Sequence, residues 1–565
     1  MDLSIPLRAR FDEACAQHRP HLEGLARNSR NDGLQFAQSI VQYGYLDRDQ
    51  AGEIIAAQMG RTYVNLGKSL FQDAEIARVP LEIARKLLAI PLYRMADTVT
   101  VAMVAPNDAK TVQALETFLG AKVSPVFSFQ DEIESAILVK YHSSANFDNL
   151  LVSFDFVALA KGDLTDSRLA EMVQSRQMVE MGDSIILLAL KERASDIHIE
   201  PKKNELVVRL RIDGVMVERL VLPKGLSVPL ASRFKIASGM DITERRAPQD
   251  GRMAFALPMK KVDVRVSTLP MMHGEKVVMR LLGSLFSGSM LNLEKLDIVP
   301  HVLTRLKQVV RQPNGILFVT GPTGSGKTTT LYAALNFINR PEINVVTIED
   351  PVEYELPSIN QVPVNEKAGR SFQSVLRSVL RQDPDVILVG EIRDAETARI
   401  AAQAAMTGHL VLTTLHTSDA IQATTRLIDM GVERFMVAPS LVGVLNQRLV
   451  RRVCDFCKVS YEPDEAYLRR FFQWREGFRL PLFHRGEGCE RCGGSGFRGR
   501  VGIHEFLNVG HRLREALLGQ GDYHTLKQVA LEEGFQDMRV DGFKKALRGL
   551  TTLEEVIEST SGDDL

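Results

Sequence analysis

The sequence predicts an α/β protein of several domains, on three observations. At roughly 150 residues per domain, 565 residues correspond to about three or four domains. Charged residues at 25% and hydrophobic residues at 45% are ordinary for folded chains and exclude wholesale disorder. From Leu293 onward, apolar runs of strand length alternate with segments of helical period, the pattern of a covered parallel sheet.

Along the chain, residues 1–33 are polar and charged and form a lead-in. Residues 34–143 read as a small α/β module, with a helix over 51–59 (AGEIIAAQM), a strand over 98–104 (TVTVAMV) and a closing helix over 131–141. Periodicity is lost over 144–166, which reads as a linker. A second module, 167–285, has a helix over 183–192 and strands over 205–212 (ELVVRLRI), 262–266 (VDVRV) and 276–282 (KVVMRLL). Gly214, Pro223, Gly251 and Pro270 punctuate it. Residues 286–565 form the third and largest region. No repeat with a period of about 20–50 residues and no low-complexity tract interrupts this order.

Lys+Arg at 69 against Asp+Glu at 70 leaves a formal net charge of −1. That balance argues against coating nucleic acid or an anionic membrane through bulk charge, while leaving local patches open. No apolar run approaches the ~18–20 residues of a bilayer-spanning helix, and residues 184–190 (SIILLAL) are typical of the longest. The first twenty residues lack the apolar core of a signal peptide. The expectation is a cytoplasmic chain that meets a membrane only through a partner. Five cysteines cannot build a disulfide framework for this length, and four of them pair as Cys454-x-x-Cys457 and Cys489-x-x-Cys492. In a reducing compartment that arrangement points to a metal. Cys15 has no such pair and reads as an ordinary residue.

The strongest signal is Gly321, Pro322, Thr323, Gly324, Ser325, Gly326, Lys327, Thr328, a complete G-x-x-x-x-G-K-S/T, followed by Thr329. An apolar strand-length run over 315–320 (GILFVT) precedes it. Leu331, Ala334, Leu335 and Ile338 then recur at helical spacing. A chance glycine-rich turn would lack this order of strand, loop and helix. In it, backbone N–H groups close around phosphate oxygens, Lys327 reaches the terminal phosphates and the Thr328 hydroxyl ligates Mg²⁺. The chain therefore binds a nucleoside triphosphate. Hydrolysis further needs acids that organise the metal and a water. Two apolar runs end in them: 345–348 (VVTI) leads into Glu349, Asp350 and Glu353, and 386–389 (VILV) leads into Gly390, Glu391 and Asp394. Ligands of open α/β sheets lie beyond strand carboxyl ends, so these loops and the phosphate loop are expected to share a site. A further strand, 410–415 (LVLTTL), is bracketed by His409 and His416. Each histidine reads equally as a core residue or as a γ-phosphate sensor.

Four stretches, GPTGSGKTTTLY, TIEDPVEY, LRQDPDVILVGEIRD and TGHLVLTTLHT, resemble the P-loop, aspartate box, Walker B box and histidine box of the GspE/PilB-type secretion ATPases. The preceding module agrees through ASDIHIEP, RLRIDG, RRAPQDGR and RVSTLP with GEKVVMRLL. The resemblance implies a RecA-like P-loop core (286–565) behind a PAS-like second N-terminal domain (167–285) and a docking domain (34–143). It implies a homohexameric ring that drives type II secretion or type IV pilus assembly through inner-membrane platform and docking proteins. Within it, Glu353 would orient the attacking water, Glu391 would act with Mg²⁺, His416 would sense the γ-phosphate, and Arg211 and Arg233 would bring cationic charge. The competing reading is a ring ATPase that translocates nucleic acid, which lacks any recognisable binding motif here.

Two C-x-x-C knuckles suit tetrahedral Zn²⁺ with four thiolates, although the intervening residues 458–488 exceed the usual ribbon spacing. The surrounding QRLVRRVCDFCK and GCERCGGSGFRGRVGIHEFL resemble the family's tetracysteine subdomain, 454–500 here, which implies structural zinc. Some members bind cyclic di-GMP through an Arg-Leu-Gly start. Here Gln35, Phe36 and Ala37 stand in that place ahead of Gly44. Losing the arginine removes the group best suited to a guanine edge or phosphate, so protein docking is the expected role of this module rather than second-messenger binding.

Overall fold

The computed structural model describes residues 48–141, 171–259, 261–282, 292–353, 355–356, 358–468, 481–519 and 521–560. The lead-in 1–33, the linker 144–166, Cys15 and the stretch Gln35 to Gly44 lie outside them. The chain divides into two compact units, Met1–Phe286 and Ser287–Leu565.

In the first unit a three-stranded sheet runs β1 (Ala89–Met95), β2 (Thr98–Met103), β3 (Lys122–Phe127). The first pair is antiparallel. The second is parallel, which requires a crossover, and the helix Ala109–Leu119 supplies it. That helix starts where the Asp108 side chain accepts from the Lys110 N–H and ends on Gly120 in the left-handed region. The same unit holds a six-stranded antiparallel sheet: β4 (Asp196–Pro201), β5 (Glu205–Ile212), β6 (Val215–Pro223), β7 (Gln249–Ala256), β8 (Lys261–Met271) and β9 (Gly274–Leu282), in the order β6-β5-β4-β9-β8-β7. Its buried face packs under the helices Arg176–Lys191 and Ser227–Ala237. The first of these begins earlier than its apolar run, because the Ser175 side chain caps it by accepting from the Met178 N–H.

The second unit is built on a seven-stranded sheet in the order β12 (Asn360–Pro363), β11 (Val345–Glu349), β13 (Val386–Val389), β14 (Leu410–Leu415), β10 (Gly315–Thr320), β15 (Leu441–Val453), β18 (Phe497–Asn508). Every pair is parallel except β15 with β18. Successive residues of β10 enter opposite cores. Ile316 and Phe318 join one apolar cluster, and Leu317 and Val319 the other. A strand buried on both faces reads as a continuous apolar run, which is why these strands were visible in the sequence. A small hairpin, β16 (Lys458–Tyr461) with β17 (Phe483–Gly486), stands between the two cysteine pairs.

Candidate nucleotide and metal sites

Because β10, β11, β13 and β14 are parallel neighbours, their carboxyl ends meet at one edge of the sheet. β10 passes into the glycine-rich loop, and the helix Lys327–Ile338 starts directly from it. Gly321, Gly324 and Gly326 have φ of +131°, +78° and +88°, a region costly for residues with a Cβ. At Gly321 a Cβ would also stand 2.2 Å from the Gln447 carbonyl oxygen, so β15 closes on the loop from behind. Pro322 and Thr323 are exposed, Ser325 is buried, and Thr328 and Thr329 lie half-buried on the first helical turn. Lys327 Nζ donates to the carbonyls of Gly321 at 2.8 Å and Pro322 at 2.9 Å. Burial draws its pKa below the ordinary lysine value, and the nearby Glu391 charge opposes that shift.

The acids at this edge have separate environments. Glu349 is the last residue of β11 and 4% exposed, not a loop acid. The Tyr332 hydroxyl donates to its Oε2, while Thr347 Oγ1 at 2.6 Å and Gln361 Nε2 at 3.1 Å donate to Oε1. Three donors satisfy that buried carboxylate structurally. Glu353, on the loop that follows, has its backbone N–H 3.4 Å from the Tyr332 oxygen. Glu391 follows β13 and pairs with Arg393, and His416 Nε2 lies 3.7 Å from its Oε2. The Thr414 hydroxyl donates to the Gly390 carbonyl at 2.8 Å, tying the ends of β13 and β14 together.

Lys327, Thr328, Glu349, Asp350, Glu353, Glu391 and His416 line one pocket, with Leu331, Tyr332, Phe372 and Leu388 as its apolar wall. The sheet's polarity separates the two histidines that the sequence could not. His416 enters the pocket, whereas His409 lies at the opposite end of β14, with Nδ1 2.9 Å from the Ala404 carbonyl. An acid-lined pocket accepts a triphosphate only with a cation between the two. The Thr328 hydroxyl and the Glu391 carboxylate are hard oxygen donors of the kind Mg²⁺ takes. Arg211 and Arg233 belong to the first unit. Arg211 Nη1 donates to the Gly214 carbonyl at 2.9 Å and Nε is 3.8 Å from Asp196 Oδ2. Arg233 neighbours Asp183, whose pKa is raised by burial against the pull of that arginine.

The Sγ atoms of Cys454, Cys457, Cys489 and Cys492 all lie within 4.8 Å of one another. Three of their separations are 3.9 Å (Cys454–Cys489), 3.9 Å (Cys457–Cys492) and 3.7 Å (Cys489–Cys492). A tetrahedron of thiolates about 2.3 Å from zinc has edges of about 3.8 Å, which these three separations match. Burial works against a Cys492 thiolate, but the N–H groups of Cys489 (3.1 Å) and Gly496 (3.3 Å) outweigh it and bring its pKa down to about 7. The long spacing between the pairs is the length of the β16–β17 insertion.

The chain is similar to known proteins in both sequence and fold. The family model described as type II/IV secretion system protein matches residues 171–558, and the MshEN domain model matches residues 59–144. The type IV pilus assembly ATPase PilB of Thermus thermophilus is 40% identical over 94% of this chain, which spans 60% of that relative's length. The type II secretion system ATPase E of Vibrio cholerae is 43% identical over 76% of this chain and 86% of its own length. Among solved structures, the Legionella pneumophila ATPase DotB shares the fold, with a TM-score of 0.50 and 21% identity over 68% of this chain and 95% of that one.

Proposed function

The chain belongs to the type II/IV secretion system protein family, and from that membership we propose that it is a mechanical ATPase that powers type II secretion or type IV pilus assembly. One observation carries the reading: a phosphate loop, two acidic strand ends and a histidine share one pocket at one sheet edge. In this scheme Gly321, Pro322, Thr323, Gly324, Ser325, Gly326, Lys327, Thr328 and Thr329 hold the ATP phosphates. Thr328 and Glu391 hold Mg²⁺, which neutralises charge on the transferring phosphoryl. Glu353 orients the attacking water, and His416 senses the γ-phosphate. Arg211 and Arg233 are the second module's candidates for further cationic charge. The four cysteines hold a structural zinc.

At the level of assembly, the proposal is a cytoplasmic homohexamer acting on inner-membrane platform and docking proteins, with residues 34–143 as the docking module. Among the described residues no helix is long and apolar enough to cross a membrane, which is compatible with attachment through partners. The neutral charge balance offers no support for a nucleic-acid track.

The test is magnesium-dependent phosphate release by the purified full-length chain. Lys327→Ala removes the cation that faces the terminal phosphates and is expected to lower kcat/KM by at least about a hundredfold. Undiminished turnover in that variant would refute the site assignment.

A further inference from the structure

A phosphate cradle sets a condition that its own residues do not meet. Its N–H groups must point inward, and a planar trans peptide then points the carbonyl of the same unit outward into protein. A buried carbonyl left there without a donor is costly. The Ser325–Gly326 peptide meets this condition through β15. Gln447 is 2% exposed, and its Nε2 donates to the Ser325 carbonyl at 2.7 Å. Its Oε1 accepts from Thr330 Oγ1, on the first turn of the following helix, at 2.8 Å. With a donor at one end and an acceptor at the other, the carboxamide has one orientation.

The neighbouring residue braces the same loop at its entrance. Asn446 Oδ1 accepts from the Thr320 hydroxyl at 3.2 Å, and Asn446 Nδ2 donates to the buried Glu505 carboxylate at 2.9 Å. Contact is close enough that a Cβ on Gly326 would stand 3.2 Å from Gln447 Nε2.

We propose that Gln447 is a positioning residue for the triphosphate: by holding the Ser325 carbonyl and the Thr330 hydroxyl, it aims the Gly326 N–H at the phosphates before nucleotide arrives. The proposal rests on the nucleotide reading above and adds a residue outside its P-loop, its acidic boxes and its histidine box. Gln447 acts through the loop and touches no reacting atom. Its effect therefore falls on binding shared by ground and transition states, which appears in KM more than in kcat.

The experiment compares steady-state ATPase kinetics of the full-length wild type with Gln447→Leu and Gln447→Glu. Gln447→Leu keeps the size and loses the donor, and its KM for ATP rises about tenfold with kcat within about threefold, the effect of one unpaired buried acceptor. In Gln447→Glu an ionised carboxylate faces the Ser325 carbonyl, whereas the protonated form donates to it. Its KM therefore falls toward wild type between about pH 8 and about pH 6, a recovery absent from Gln447→Leu. If Gln447→Leu does not fold, the isosteric Thr330→Val, which frees the other end of the carboxamide, raises KM by a smaller factor. Wild-type KM in the folded variants, or a pH-independent offset in Gln447→Glu, overturns this inference alone. Absence of turnover in the wild type overturns the motor reading instead.

Discussion

Glu505 is 4% exposed on β18, yet its oxygens close three bonds. Oε1 accepts from the Ala420 N–H at 2.7 Å and Asn446 Nδ2 at 2.9 Å, and Oε2 accepts from the Met538 N–H at 3.0 Å. Ala420 and Met538 are the first residues of two helices, so one carboxylate sits at two helix N-termini, where negative charge is favoured. Burial nevertheless prevails over these donors and lifts its pKa from 4.5 to about 7. A carboxyl raised in this way holds its proton more tightly when folded. The stability it contributes is complete below pH 4.5 and is lost as pH rises to about 7. Thermal melting of wild type against Glu505→Gln checks the sign: the difference in Tm moves in wild type's favour as pH falls from about 8 to about 5. A difference that stays constant with pH contradicts it.

At the scale of elements, β10, β11, β13 and β14 were legible because each is a short run buried on both faces that ends in glycine, acid or histidine. β15 was not legible as the wall of the phosphate loop. Its first seven residues are buried, but they include Asn446 and Gln447, which hydropathy assigns to a surface. The partners that satisfy them lie far away along the chain, as Thr330 does for Gln447 and Glu505 for Asn446, and no local pattern carries that information. Glu349 was misplaced for a related reason. Its burial depends on Tyr332 and Gln361, which only the folded sheet brings to it. The cysteine pairs were legible as residues, while the β16–β17 insertion that explains their spacing was not. Zinc there should be integral to the lobe: the purified chain is expected to carry about one zinc, and Cys457→Ser to lose it and lower the Tm. Metal analysis showing no zinc in the wild type would contradict the assignment.

At the scale of the molecule, two compact units divide the chain, and the P-loop, acidic and histidine boxes and the four cysteines all fall in the second, Ser287–Leu565. The family model spans that unit and part of the first, which is why the resemblance could be carried by motifs from both. Near-neutral charge gives the chain no bulk attraction to nucleic acid or lipid. On the proposed function, binding and hydrolysis of ATP are separable functions of one sheet edge, with Lys327 serving the first and Glu391 the second. The most direct test measures ATP binding and phosphate release together in the full-length wild type and in Glu391→Gln. Glu391→Gln is expected to bind ATP within about tenfold of wild type while releasing phosphate at least about a hundredfold more slowly. Wild-type turnover in Glu391→Gln would contradict it.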